Sequence, residues 1–216
     1  MSGVTTTCTG SSPVCPLDVT PPDTDNDGLP DPCDACPTGT QASKAQLHIG
    51  TYDGVAANDK LNVLDEFRIS SAAAAFLDPT ATGLVILVAD PSDAGTLTLT
   101  VPPGAYDDVT RQGWTVSHTG HGSTMLWKFR SDDPSLAVST ARVRLSRDAP
   151  PPQVQVKASG SRRSFAVTRP ALPLRVRVVL DPPAATSIAC GEASFAPGSQ
   201  SPRCALRSHD AVLSCR

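Results

Sequence analysis

From Lys44 onward, apolar and polar residues alternate with period two, the mark of strands that bury one face. Ala45–Gly50 and Leu61–Ile69 follow this pattern, as do Ala141–Leu145, Gln153–Val156 and Leu174–Leu180. Leu84–Val88 is continuously apolar and reads as a strand covered on both faces. Pro91–Gly95 is turn chemistry, from which Thr96–Val101 returns as the second arm of a hairpin. Trp114–Ser117 and Met125–Phe129 flank an expected turn at His118–Gly122. Ala193–Phe195 is a further strand, and Cys204–Leu206 against Val212–Cys215 a closing hairpin. Only Ser71–Phe76 reads as helix. Roughly ten short strands separated by Pro, Gly and Asp define an all-β chain folded as an antiparallel β-sandwich. Composition agrees: 21 prolines exclude long helices, and 4% aromatics require a mainly aliphatic core.

The first 43 residues obey different rules. They contain six Asp and no Lys or Arg, while the remainder holds 15 acids and 18 bases. Within them Asp23, Asp25 and Asp27 stand at positions 1, 3 and 5 of a twelve-residue loop, with Gly28 at 6, Asp31 at 9 and Asp34 at 12. The Leu29 carbonyl occupies position 7. Oxygen at these positions converges on one hard cation, and Gly28 supplies the turn, so the segment is expected to bind Ca2+. An EF-hand needs flanking helices, yet Pro21 and Pro22 precede the loop and Pro30, Pro32 and Pro37 interrupt or follow it. Something other than helices must hold it.

The run from Asp23 to Pro37, D-x-D-x-D-G-x-x-D-x-x-D-x-C-P, resembles a thrombospondin type 3 repeat. The resemblance covers about residues 13–37 and implies a helix-poor, disulfide-stapled calcium module. It further implies Asp23, Asp25, Asp27, Asp31 and Asp34 as ligands and a Cys15–Cys33 bridge. A second, less specific resemblance lies in Asn58-Asp-Lys-Leu-Asn-Val, in Pro102-Pro-Gly with Gly113-Trp, and in the closing Cys-x-x-x-x-Phe…Cys…Leu-x-Cys. These are similar to a β-rich domain that follows calcium repeats in exported bacterial proteins and has no assigned activity. The expected organisation is a calcium module over 1–43 and a sandwich over 44–216. The charge contrast across Lys44 implies weak energetic coupling between the two, since exposed charges beyond about 8–10 Å are screened.

Seven cysteines are many for a chain kept in a reducing compartment. Cys8, Cys15, Cys33 and Cys36 cluster at one end, and Cys190, Cys204 and Cys215 at the other, which suggests two local staples and one leftover thiol. If His209-Asp210 form the last turn, Cys204 faces Cys215 and Leu206 faces Leu213 on one side of the hairpin. That permits Cys204–Cys215 and leaves Cys190 odd; alternatively, Cys190 joins either partner across the sheets. Cys33-x-x-Cys36 lacks the second pair of a zinc ribbon and the βαβ setting of a redox site. Met1–Thr7 has neither the basic start nor the apolar core of a signal peptide. The cysteines and the loop nonetheless point to a secreted or cell-surface protein, whose leader is expected to be absent from this chain. No apolar run is long enough to span a bilayer.

Candidate chemistry is sparse. His118 and His121 sit in an expected turn without a third ligand nearby, and Asp107-Asp108 and Asp132-Asp133 follow turn signals as solvated pairs. No nucleophile elbow, zinc-protease or nucleotide motif occurs, so no enzymatic activity is expected. Arg142, Arg144, Arg175 and Arg177 alternate on two strands. Were those strands neighbours, four guanidinium groups would share a face suited to an anionic polysaccharide or cell-surface polymer. Charge that keeps a sheet soluble and blocks edge pairing is the preferred reading, because acids elsewhere nearly cancel it. Asn58-Asp59 is where a second calcium would first be sought. The chain therefore reads as a calcium-binding extracellular structural or adhesion-type protein, with calcium and a cell-surface polymer or protein as partners. The alternative is a carbohydrate-binding module, for which few aromatics remain after a core is built. The basic region is too weakly charged to argue for nucleic acid.

Overall fold

The computed structural model describes residues 22–24, 36–50, 59–89, 97–119, 123–148, 150–163, 173–182, 187–197, 203–207 and 212–216. Among them strand β1 is Thr40–Gln41, β2 Lys44–Gly50, β3 Asp59–Arg68, β4 Leu84–Ala89 and β5 Leu97–Val101. The middle of the chain forms β6 (Gln112–Thr119), β7 (Thr124–Ser131), β8 (Thr140–Ser146) and β9 (Gln153–Arg163). Then follow β10 (Leu174–Val179), β11 (Cys190–Pro197), β12 (Arg203–Arg207) and β13 (Val212–Cys215).

These strands build an all-β, sandwich-like fold of two sheets. The small sheet runs β5-β4-β10-β11, with β1 added in parallel beside β11. The large sheet runs β12-β13-β2-β3-β9-β8-β7-β6 and is antiparallel throughout. A short parallel step, Ala196 beside Arg203 and Pro197 beside Cys204, carries the hydrogen-bonded path from one sheet to the other.

Alternation does what the sequence requires of it. On β3, Leu61, Val63 and Phe67 point inward and are buried, while Lys60, Asn62 and Arg68 point outward. Val143 and Leu145 of β8 and Val154 and Val156 of β9 join the same core. The facing sheet contributes Leu84, Ile86, Leu174, Val176, Val178 and Phe195. Each such side chain taken out of water contributes about 1.5–3 kcal/mol. The aromatics concentrate at β6 and β7, where Trp114 and Phe129 are register partners with ring centroids 5.3 Å apart. The Trp114 indole N–H donates to the Pro102 carbonyl at 2.8 Å, so its burial leaves no polar group stranded.

One position fixes how closely the sheets approach. A Cβ on Gly191 of β11 would overlap the Phe67 ring of β3, so only glycine lets β11 lie on β3 at this distance.

The helix expected at Ser71–Phe76 is present as α1, with Ser70 as its N-cap accepting from the Ala73 amide at 3.0 Å. A second helix, α2 (Pro79–Thr82), was not expected from its four residues. It has Pro79 in its first turn, Asp78 capping the Thr80 amide, and Gly83 at φ 72° ending it. Two expectations are corrected here. β6 continues through His118 and Thr119, so His118 is a strand residue and not part of a turn. The cysteines are not stapled only locally: Cys204 is joined to Cys215 as the hairpin register allows, but Cys190 is bonded to Cys36, not left as the odd thiol. Cys8, Cys15 and Cys33 lie outside the described residues, as does the Cys15–Cys33 pairing.

Candidate functional site

Of the expected calcium ligands, the described residues include Asp23, which is partly buried. Asp25, Asp27, Leu29, Asp31 and Asp34 lie outside them, so the loop is defined by sequence spacing alone. Among the described residues no group of three or more His, Cys, Asp or Glu side chains is placed to hold a metal. Asp59 is buried at the start of β3, and Asn58 is outside the described residues.

The chain just beyond the acidic loop is firmly placed. Cys36, two positions after Asp34, is fully buried and packs with Val179 and Cys190, to which it is bonded. The Thr38 hydroxyl donates to the Ser187 carbonyl at 3.2 Å. Thr40 and Gln41 then pair with Gly191 and Glu192, and the Ala42 amide donates to the Glu192 carbonyl at 2.7 Å. Residues 36–42 are thus stitched along β11 of the small sheet by a covalent bond and a strand pairing.

The four arginines singled out by sequence do not share a face. β8 lies between β7 and β9 in the large sheet, whereas β10 lies between β4 and β11 in the small one. Arg142 and Arg144 are exposed. Arg177 is buried and its Nε donates to Glu192 Oε2 at 2.6 Å, a cross-strand ion pair between register partners. The paired aspartates are occupied by local structure. Asp107 Oδ1 accepts from the Val109 and Thr110 amides, Asp133 Oδ1 accepts from the Ser135 amide, and Asp132 faces Arg111 and Arg130 at 3.6 Å each. His118 is exposed on β6, and His121 lies outside the described residues.

Asp65 was not singled out by sequence. It points into the core from β3 between Val63 and Phe67, is fully buried, and neither carboxylate oxygen has a hydrogen-bond partner. Burial pushes its pKa up to about 8, and the charges of Glu192 and Glu66 push the same way. The nearby Glu66 backbone amide offsets part of the rise without meeting the geometry of a hydrogen bond.

A groove of about 1020 Å³ lies on the outer face of the large sheet. Register fixes its floor. Gln46, Leu64, Lys157, Arg142, Lys128 and Thr115 are successive partners in one row across β2, β3, β9, β8, β7 and β6. A parallel row carries Ser214, His48, Asn62, Ser159, Thr140 and Arg130. Lys157, Arg142 and Lys128 therefore stand side by side on three adjacent strands, all exposed, and none forms an ion pair with an acid of the described residues. None of the described residues lining the groove is acidic, and Tyr106 forms part of its wall. Glu66, on the next row, is held by Gln153 Nε2 at 2.6 Å and Gln155 Nε2 at 2.9 Å. Lys128 and Lys157 escaped the sequence reading because their adjacency appears only once the order β7-β8-β9 and its register are known.

Comparison with known proteins returned no matching family model, no matching curated protein and no matching solved structure.

Proposed function

We propose that the protein is an extracellular structural or adhesion-type module in which calcium orders the acidic segment at residues 23–34. The observation that carries this reading is the spacing of Asp23, Asp25, Asp27, Gly28, Asp31 and Asp34, with the Leu29 carbonyl between them. Its resemblance to a thrombospondin type 3 repeat supports the same assignment. The placement of Cys36 adds a physical role. A loop ordered by calcium ends two residues from a buried, disulfide-bonded anchor, so ordering would be passed to the small sheet and not dissipated in a free linker. Disulfides at Cys36–Cys190 and Cys204–Cys215 favour an oxidising, extracellular compartment. No helix among the described residues is long and apolar enough to cross a membrane.

Titration calorimetry with calcium tests the reading on the wild type and on Asp25→Ala combined with Asp27→Ala. The wild type is expected to bind with an affinity on the order of 10⁻⁴ M or weaker, typical of extracellular modules, and the double variant to lose that heat. Equal heats from the two proteins would remove the assignment.

A further inference from the structure

We propose that the outer-face groove of the large sheet is a binding site for an acidic polysaccharide, with Lys128, Arg142 and Lys157 as its anion-binding row. The inference goes beyond the calcium-ordered role and does not require it.

Three like charges placed directly opposite one another on neighbouring strands repel, and a sheet gains nothing by bringing them together. The ordinary reasons for such charge do not apply here. β8 is interior to the sheet, flanked by β7 and β9, so Arg142 protects no edge. Nor does an ion pair with a described acid neutralise the row: Glu66, one row along, forms none with it and accepts from the Gln153 and Gln155 amides instead. The arrangement makes sense if a partner supplies the negative charge.

The shape selects the kind of partner. The groove is lined by β13, β2, β3, β9, β8, β7 and β6, so it crosses seven strands; at about 4.8 Å per strand spacing it extends roughly 29 Å. That length suits a linear chain lying across the strands, with repeated anionic groups meeting successive cations. Hydroxyl and amide groups also line the groove, from Gln46, Asn62, Thr115, Thr140, Ser159 and Ser214, with Thr140 and Ser159 bonded to each other at 2.7 Å. These match sugar hydroxyls as donors and acceptors. Tyr106, half-buried in the groove wall, is an aromatic of the kind that packs against a sugar ring. A single-stranded nucleic acid would call for several stacking platforms along the same path, and Phe129, the other aromatic of the lining, turns its ring into the core.

The test uses the full chain in affinity electrophoresis and calorimetry at physiological ionic strength, both in calcium and in chelator. The probes are heparin as a sulfated glycan, polygalacturonate as a carboxylated one, dextran as a neutral one, and oligo-dT as the nucleic acid. One variant combines Lys128→Gln, Arg142→Gln and Lys157→Gln; a charge-matched control combines Lys44→Gln, Lys60→Gln and Arg68→Gln outside the groove. Binding to one or both acidic glycans is expected, with dextran and oligo-dT weaker. The groove variant should lose tenfold or more, while the control loses less than threefold and both variants melt as the wild type does. Retention of binding in chelator keeps this result separate from the calcium assignment. Equal losses in the two variants, failure to bind either acidic glycan, or tighter binding of oligo-dT would overturn the proposal.

Discussion

Cys36 and Cys190 are bonded with their Cα atoms 6.1 Å apart although 154 positions separate them in sequence. The bond pins the C-terminal side of the acidic segment to the small sheet, in a buried cluster with Val179. In the chain-entropy picture a closed loop of this size contributes about 5 kcal/mol, against about 3 kcal/mol for the Cys204–Cys215 bridge, whose sequence separation is 11. Replacing Cys36 and Cys190 together by Ser should therefore lower the denaturant midpoint more than replacing Cys204 and Cys215. The reverse order would mean that strain or packing, and not loop closure, governs these bonds.

The same bond bears on how the proposed calcium would act. Sequence alone suggests weak coupling across Lys44, yet residues 36–42 are part of the small sheet through β1 and the Ala42 amide. Calcium at tenfold over its dissociation constant should stabilise any cooperative unit containing the loop by about 1.4 kcal/mol. We expect the main melting transition of the oxidised chain to rise with calcium and the rise to vanish in Cys36→Ser/Cys190→Ser. Scanning calorimetry of both proteins in calcium and in chelator checks this; an unchanged main transition in the oxidised chain would separate the loop from the sandwich.

Asp65 gives the stability a pH dependence of unusual sign. Its folded pKa, about 8, exceeds the ordinary 3.8, so the folded state holds a proton that the unfolded state has released between those values. Unfolded chains then bind fewer protons than folded ones, and this group's contribution falls as pH rises through the window, at up to about 1.4 kcal/mol per pH unit. Asp65→Asn should be more stable than the wild type at neutral pH and should lose the advantage toward pH 4. Denaturant melts of both proteins between pH 4 and 8 measure the difference, and parallel curves would mean that Asp65 is solvated in solution.

Most of the sandwich was legible because one face of each strand is dry. The period-two pattern located β2, β3, β8 and β10 within a residue or two, and the Cys204–Cys215 hairpin register followed from side-chain direction alone. What periodicity does not carry is the order of strands. Arg142 and Arg177 look equivalent in sequence, both alternating with valine, yet one faces solvent on the large sheet and the other is buried against Glu192 on the small one. For the same reason the Lys128, Arg142 and Lys157 row was invisible: its members are 14 and 15 positions apart and meet only through pairing. The acidic loop is the converse case: its expected ligands are close in sequence, so the expectation rests on local spacing, and of those ligands only Asp23 lies among the described residues. Asp65 was hidden by its own pattern, since an Asp at an inward position is read as a break in the alternation and not as a buried carboxylate.

The contact between Gly191 and Phe67 offers a direct check on the packing of the two sheets. A methyl group at position 191 would overlap the Phe67 ring, and β11 is held on both sides by β10 and β1, so the strand has little room to withdraw. Gly191→Ala should cost about 1–3 kcal/mol by overpacking. Phe67 is fully buried, and Phe67→Leu alone should also destabilise, through lost volume. Combined, the smaller Leu vacates part of the space that the Ala methyl needs, so the double variant should be more stable than the sum of the single losses predicts. A coupling of about 0.5–3 kcal/mol is the range seen for residues in contact. Denaturant midpoints for the wild type, the two single variants and the double variant complete the cycle. Strict additivity would show that the two sheets do not meet at these residues in solution.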